Sequence, residues 1–334
     1  MKVFVTGGGG FLGSAIVKLL LARGDEVHTI NRGRYPELEQ PGVTCFRGSI
    51  ANFNLVKKAM EGCDAVIHTA AKAGVWGAYR EYYEANVVGT KNVVNACQLL
   101  KVPKLVYTSS PSVVFGGDDQ EGIDESAPYP QTYDAHYPKT KAEAERLVLN
   151  AKSPSLSVTS LRPHLIWGPG DNHLAPRLIK SYQAGKLRFI GRSSAKVDAV
   201  FIDNAAAAHI QALDQLKPEA AINGKAYFIT NQEPWPTEKL INTILASAGL
   251  KPLNKRISYG IALLVGGALE FVYGLLQIRK EPPLTKFVVK QLATSHWFSS
   301  KQVRQDLRYT PKVSMVEGFE KLRESYQNAR TDKG

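Results

Sequence analysis

An α/β protein built on a doubly wound parallel sheet, with a smaller C-terminal lobe, is what three observations on the sequence predict. Short apolar, β-branched runs alternate with helical patterns through the first half of the chain. Those runs are apolar at nearly every position, not at every second one. The first of them stops at a cluster of glycines from which a helix starts. A strand apolar on both sides is buried on both, which requires helices above and below the sheet. At 334 residues, with 44% hydrophobic and 22% charged residues, the chain can bury a core of that size.

The elements follow in order. "MKVFVTGG" is a buried strand closed by glycines, and "FLGSAIVKLLLARG" is a helix with Gly24 as its stop. "DEVHTINRG", "VTCFRGS" and "DAVIHTAA" read as strands, "NVVGTKNVVNACQLL" as a helix and "KLVYTSS" as a strand. A helix through "DAHYPKTKAEAERL" and a strand "SVTSLRP" extend the pattern to about residue 165. After "WGPGDN" the regularity loosens into short elements ("FIDNAAAAHIQAL", "KAYFIT") and Pro-rich connections such as "NQEPWPTEK". We therefore expect a first domain over 1–172 and a smaller lobe over 173–334, partly interleaved with it. No internal repeat or low-complexity linker separates them.

Composition narrows the function classes. Three scattered cysteines (Cys45, Cys63, Cys97) in no CxxC pairing point to a reducing compartment and away from a disulfide framework or structural zinc. No signal peptide is read at the N-terminus, so a cytoplasmic protein is expected. The net charge of +12 is concentrated late: residues 251–334 hold 15 Lys/Arg and 7 Asp/Glu, a net of +8. No zinc-finger, RRM or KH signature accompanies it, so nucleic acid is not expected as a partner. A basic face toward an anionic surface or substrate is the better reading. Ile257 to Ile278 is a 22-residue apolar segment with one charge (Glu270), four glycines and basic residues on either side. It is read first as an apolar helical cap over a substrate pocket, second as a peripheral membrane contact, and last as a span.

Gly7, Gly10 and Gly13 fall in the spacing GxxGxxG directly after the first strand and at the start of the first helix. Early glycines permit the tight turn and let backbone N–H groups approach a pyrophosphate; the last lets helix and strand pack closely. At the first βα junction this is the fingerprint of a Rossmann-type dinucleotide site. The end of the second strand tells which dinucleotide. No carboxylate stands there to hold the adenosine ribose; Asn31, Arg32, Gly33 and Arg34 do. Arg32, with Arg34 nearby, suits a 2′-phosphate, so NADP(H) is favoured over NAD(H).

Hydride chemistry at a carbonyl needs a proton donor for the developing alkoxide. Tyr137 and Lys141 lie four residues apart, one helical turn, so the ammonium is expected to favour the phenolate and to hold the nicotinamide ribose. Thr108, Ser109, Ser110 and Ser112 cluster at the end of "KLVYTSS", where a hydroxyl would orient the substrate oxygen. His68 is read as a buried structural histidine, and His164 and His173 first as structural or surface residues and second as residues bordering the substrate. No set has metal-ligand spacing, and no GxSxG elbow is present, so metal and hydrolase chemistry are not expected.

In family order, "TGGGGFLG", "DAVIHTAA", "NVVGT", "VYTSS", "YPKTK" and "LRPHLIWGPGD" resemble an extended short-chain dehydrogenase/reductase. "TSSPSVVFGGDDQEGIDESAPYP" and "WFSSKQVRQDLRYTPKVSMVEGF" are most similar to its 3β-hydroxysteroid dehydrogenase branch. They also resemble the bacterial 2-alkyl-3-oxoalkanoate reductases of olefin biosynthesis and the sterol-4-carboxylate 3-dehydrogenases. The resemblance implies Ser110 as catalytic hydroxyl, with Ser112 as the alternative register. It implies Tyr137 as general acid/base and Lys141 on ribose and tyrosine. It places Phe11, Leu12, Ala70, Ala71, Asn86 and Thr108 along the cofactor, and Pro163 and Leu165 beside the nicotinamide. Ser49–Ile50 stands where many relatives carry an acidic residue and an aliphatic one against the adenine. A homodimer is implied as well. The expected activity is interconversion of a 3-oxo and a 3-hydroxy group on a small hydrophobic substrate, one that carries a carboxylate in the leading case. The alternatives are sterol oxidation, sugar-nucleotide epimerisation or dehydration, and a non-catalytic cofactor-binding scaffold.

Overall fold

The computed structural model describes residues 1–192 and 194–331. Ser193 and residues 332–334, within the lobe expected over 173–334, lie outside the described residues. In chain order the first part runs β1 (Lys2–Thr6), α1 (Phe11–Ala22), β2 (Glu26–Asn31), β3 (Val43–Arg47), α2 (Phe53–Met60) and β4 (Ala65–His68). A short helix α3 (Tyr79–Tyr82) then leads through a π-helical stretch, Tyr83–Val88, into α4 (Gly89–Leu100). β5 (Lys104–Thr108), β6 (Gln120–Ile123), α5 (His136–Asn150) and β7 (Ser157–Pro163) follow.

Seven parallel strands form the main sheet in the order Lys225–Ile229, β7, β5, β4, β1, β2, β3. Successive side chains on each strand alternate between two helical layers. Val3, Val5, Ile67, Val106 and Leu161 meet α1 and a later helix, α7 (Ile202–Gln215), on one face. Phe4, Val66, Leu105, Tyr107 and Val158 meet α2, α4 and α5 on the other. Every residue of β7 is buried, as a central strand covered by helices on both faces requires, and Arg162 is buried with them.

Strand order reverses between β1 and β4. Their C-terminal ends, Thr6 paired with His68, therefore splay into the crevice where open α/β sheets take their ligands. The sheet does not end with the first half of the chain. Strand Lys225–Ile229 covers the outer edge of β7, and α7 packs beside α1, so the two parts are interleaved.

The remainder is built around α6 (Leu174–Gln183) and, after α7, α8 (Thr237–Ser247), α9 (Tyr259–Leu275), α10 (Lys286–Ala293), α11 (Lys301–Asp306) and α12 (Met315–Thr331). A small sheet joins Trp235–Pro236, Lys196–Val197, His296–Phe298 and β6. The expectation of an apolar cap needs correction. α9 buries only a narrow strip, Ala262 and Gly266, where an added Cβ at Gly266 would come within 3.1 Å of the Thr285 carbonyl carbon. Small residues bring the helix close to the start of α10 and turn its bulky side chains outward. No α9 residue lines the cleft described below. Among the described residues no helix is long and apolar enough to cross a membrane.

Candidate active site

The glycine turn is held by its own backbone and by two polar side chains of β2. Gly7 has φ +72°, the left-handed region that favours glycine, and its N–H donates to the Ile30 carbonyl at 2.9 Å. Gly8 N–H donates to Thr29 Oγ1 at 3.1 Å and Gly9 N–H to Asn31 Oδ1 at 2.9 Å. Asn31 thus fastens the turn, a role its place beside Arg32 had concealed. A Cβ at Gly13 would lie 2.1 Å from the Gly7 carbonyl oxygen, so only glycine lets α1 close on the turn. α1 starts directly after Gly10, with no side-chain cap and no acidic residue in its first turn. Its leading N–H groups and positive end remain available to an anion, as a pyrophosphate would need.

From this turn a cleft of about 600 Å³ runs along the ends of the strands. It brings together Gly7, Gly10, Phe11, Leu12, Gly13, Arg32, Ser49, Ile50, Ala70, Ala71, Thr108, Ser110, Tyr137, Lys141, Pro163 and Leu165. Two residues expected there are elsewhere. Arg34 is turned to solvent and forks onto Glu39, with Nε–Oε1 2.6 Å and Nη2–Oε2 2.8 Å, leaving Arg32 as the cation at the β2 end. Asn86 is buried behind the wall. Its Oδ1 accepts from Lys72 N–H at 2.7 Å, and its Nδ2 donates to the Lys72 carbonyl (3.1 Å) and to Thr140 Oγ1 (3.0 Å). It ties the loop after β4 to the Tyr137 helix from within the π-helical stretch, a geometry that recurs at functional sites.

His68 is structural as expected: it bridges Thr6 Oγ1 (2.6 Å) and Thr90 Oγ1 (2.9 Å), and burial, aided by Lys141, lowers its pKa to about 3. His164 is likewise buried, against Phe298 and His296. His173 follows the second reading, since it lines the cleft with Leu174 and Arg177 at the head of α6. Among the described residues no group of three or more His, Cys, Asp or Glu is placed to hold a metal ion.

Of the hydroxyl run, Thr108, Ser109 and Ser110 line the cleft. Ser112 donates to Ser110 Oγ through both its backbone N–H (3.2 Å) and its own Oγ (2.9 Å), and it does not line the cleft. With both acceptor positions of Ser110 filled, its O–H is left free for a hydrogen bond toward Tyr137, which lines the same cleft. Burial raises the Tyr137 pKa above its ordinary value of 10.0, and that hydrogen bond opposes the rise. The expectation that Lys141 favours the phenolate is corrected here. Lys141 Nζ donates to the Thr108 carbonyl at 2.6 Å and sits 4.2 Å from the centre of the Tyr107 ring, on the buried side of α5. Burial lowers its pKa to about 7, against the opposing pull of Glu145.

Glu145 was missed in the sequence, although it continues the spacing Tyr137–Lys141–Glu145 one turn at a time along one side of α5. It is fully buried and accepts from Arg162 (Nη2–Oε1 2.7 Å), Ser160 Oγ (2.8 Å) and Tyr129 OH (2.7 Å). This network fastens the Tyr137 helix to β7, whose end supplies Pro163 to the cleft.

Leu165, also on the wall, has φ +42°, a left-handed conformation that a leucine adopts only when its surroundings impose it.

The profile of the 3-beta hydroxysteroid dehydrogenase/isomerase family matches residues 4–259. Over 327 residues the chain is 47% identical to a 2-alkyl-3-oxoalkanoate reductase of Stenotrophomonas maltophilia (strain K279a), covering 97% of this chain and 99% of that one. It is 35% identical over 341 residues to a sterol-4-alpha-carboxylate 3-dehydrogenase, decarboxylating, of Mus musculus, covering 99% and 92%. Among solved structures, the dTDP-glucose 4,6-dehydratase of Streptomyces venezuelae with NAD and TYD bound superposes with a TM-score of 0.77 at 22% identity, over 99% and 98% of the two chains, a likeness of fold. The family match spans the sheet, the glycine turn and the Tyr137 helix alike, and the chain therefore belongs to the 3-beta hydroxysteroid dehydrogenase/isomerase family and is an enzyme of the dehydrogenase/reductase class.

Proposed function

We propose that this enzyme is an NADP(H)-dependent reductase that converts a long-chain 2-alkyl-3-oxoalkanoate to the 3-hydroxy acid. The observation that carries the reading is the Ser110–Tyr137 hydroxyl pair in a dinucleotide-shaped cleft, in a chain 47% identical along nearly its whole length to a reductase of that name. The glycine turn and the α1 terminus would hold the pyrophosphate, Lys141 the nicotinamide ribose and Ile50 the adenine. A nicotinamide bound there supplies the hydride. Ser110 and Tyr137 then receive the ketone oxygen between their hydroxyls. Ser110 fixes its position, and Tyr137 gives up its proton as charge builds on oxygen. A tyrosine kept protonated by burial suits the reducing direction.

The adenosine end supports NADP(H). Arg32 lines the cleft and makes no ion pair among the described residues, so its fork is open to a 2′-phosphate. Mixing enzyme, NADPH and a 2-alkyl-3-oxo acid should bleach absorbance at 340 nm. The ratio of kcat/KM for NADPH over NADH should fall about tenfold or more in Arg32→Ala. No bleaching with any hydrophobic 3-oxo acid, or an unchanged ratio, argues against the respective half of the proposal.

We infer also that α9 rests on the surface of an anionic bilayer. Ile261, Leu264, Phe271 and Leu275 recur at intervals of three, four and seven residues, and the last three are 73%, 71% and 71% exposed. Lys255, Arg279 and Lys280 stand near its two ends in the chain, where lipid phosphates would meet them. Vesicles of phosphatidylglycerol and phosphatidylcholine should sediment the protein. The double variant Leu264→Glu/Phe271→Glu should lose about tenfold or more in partitioning, with turnover of a soluble substrate retained. Equal sedimentation of both would reject the surface. A homodimer, as the resemblance implies, would use the outward side of α4 and α5, near the exposed Tyr83 and Leu99.

A further inference from the structure

Among the described residues, those that line the cleft include four cations, Arg32, Lys72, Lys141 and Arg177, and no carboxylate. Arg32 and Lys141 are accounted for by the dinucleotide. Lys72 and Arg177 are not, and each is held by a glutamate that does not line the cleft. Arg177 Nη2 donates to Glu281 Oε1, in the segment between α9 and α10. Lys72 Nζ lies 2.9 Å from Glu81 Oε2. Both glutamates border one place on the rim. A Cβ at Gly74 would be 3.4 Å from the Tyr82 hydroxyl and 4.0 Å from Glu281 Oε2, and one at Gly77 would be 3.8 Å from Glu81 Oε2. Trp76 closes the same rim, its Nε1 donating to the Ile278 carbonyl at 2.9 Å.

The two arginine pairs of this region differ in kind. Arg162–Glu145 is buried and held by several hydrogen bonds, and nothing else can reach it. Arg177–Glu281 is 53% and 31% exposed, and the other donors of the Arg177 fork have no partner among the described residues. A solvated pair of this kind adds little to stability, so a second carboxylate can displace Glu281 at small cost. A guanidinium takes a carboxylate through two parallel hydrogen bonds, a geometry that Glu281, bonded at one nitrogen, leaves unfilled.

We propose that Arg177 is the specificity-determining residue that binds the carboxylate of a 3-oxo acid, with Glu281 as the resident group it exchanges and Lys72 adding to the local positive field. The proposal rests on the reductase reading above. In a 3-oxo acid the carboxylate is two carbons from the ketone, so both polar ends of the substrate need partners in one cleft, and Arg177 lines the same cleft as Ser110 and Tyr137.

Calorimetric binding of a 2-alkyl-3-hydroxy acid and of its methyl ester to the NADP⁺-loaded enzyme tests it without turnover. Arg177→Ala should weaken the acid by about tenfold or more and change the ester by less than about twofold. Arg177→Lys should recover part of the loss, and Glu281→Gln should tighten the acid by about threefold. NADP⁺ affinity should be unchanged in all three. Equal weakening of acid and ester would make Arg177 a structural latch, and a fall in NADP⁺ affinity would assign it to the pyrophosphate; either overturns the proposal, as does an unaltered acid affinity in Arg177→Ala. Wild-type enzyme that reduces hydrophobic ketones but no 3-oxo acid would sink the substrate reading itself.

Discussion

Tyr137→Phe is expected to lower kcat for ketone reduction by about three orders of magnitude, with the dinucleotide dissociation constant changed by less than about twofold. The substitution keeps the ring and removes only the hydroxyl that, in the proposed mechanism, donates the proton. Water cannot replace it at equal geometry, since Ser110 and the ring position define where the oxygen must sit. The pH dependence has a definite sign. Burial raises the Tyr137 pKa, with the Ser110 hydrogen bond in opposition, so the phenol holds its proton through neutral pH. Reduction, which consumes that proton, should stay level through neutrality and fall only as pH rises through the raised pKa. Oxidation of the 3-hydroxy product needs the phenolate and should climb over the same range. A Phe variant that keeps more than about a tenth of the wild-type turnover would remove Tyr137 from the chemistry.

The largest effect on stability is expected at Glu145→Ala, a loss of about 3–5 kcal/mol in the free energy of unfolding measured with urea. Without Glu145, Arg162 stays buried at 3% exposure with its charge unanswered, and Ser160 and Tyr129 lose their acceptor. Burial alone would raise the Glu145 pKa, but the charge and hydrogen bonds of Arg162 outweigh it and the net shift is below the ordinary 4.5. A depressed carboxylate stabilises the fold above its unfolded pKa and loses that contribution as pH falls through the folded value. The gap between wild type and variant should therefore be full near neutrality and shrink below about pH 4. Replacing both partners by apolar residues, Glu145→Leu with Arg162→Met, should recover much of the loss, because no charge is then stranded. A double variant as unstable as the single one would show that packing, not charge, dominates here.

The sheet and the glycine turn were legible because each is written in contiguous residues: apolar runs for β1, β4 and β5, and glycines where a Cβ would strike backbone. The Tyr137–Lys141 spacing was legible for the same reason, since a helix converts sequence distance directly into spatial distance. What the spacing could not report was direction. Lys141 points to the Thr108 carbonyl and not to the phenol, a choice made by the packing of α5 on β5. Arg34 and Arg32 look alike in "NRGRYPELE", and only the fold shows that Glu39 comes back to claim Arg34. The rim is the extreme case. Arg177 and Glu281 are 104 residues apart, and no local pattern joins them.

The edge strand Lys225–Ile229 has a consequence for how the chain must be made. β7 ends at Pro163, about 60 residues before its outer neighbour begins. During synthesis at roughly 5–20 residues per second, that edge lacks its partner for several seconds after β7 has left the ribosome. An open edge of parallel sheet is a template for pairing with another chain. A fragment ending near residue 172, though it contains the glycine turn and every hydroxyl of the reacting set, would keep that edge open for good. The nascent enzyme is thus most vulnerable to self-association after its proposed catalytic residues have been made and before its sheet is closed.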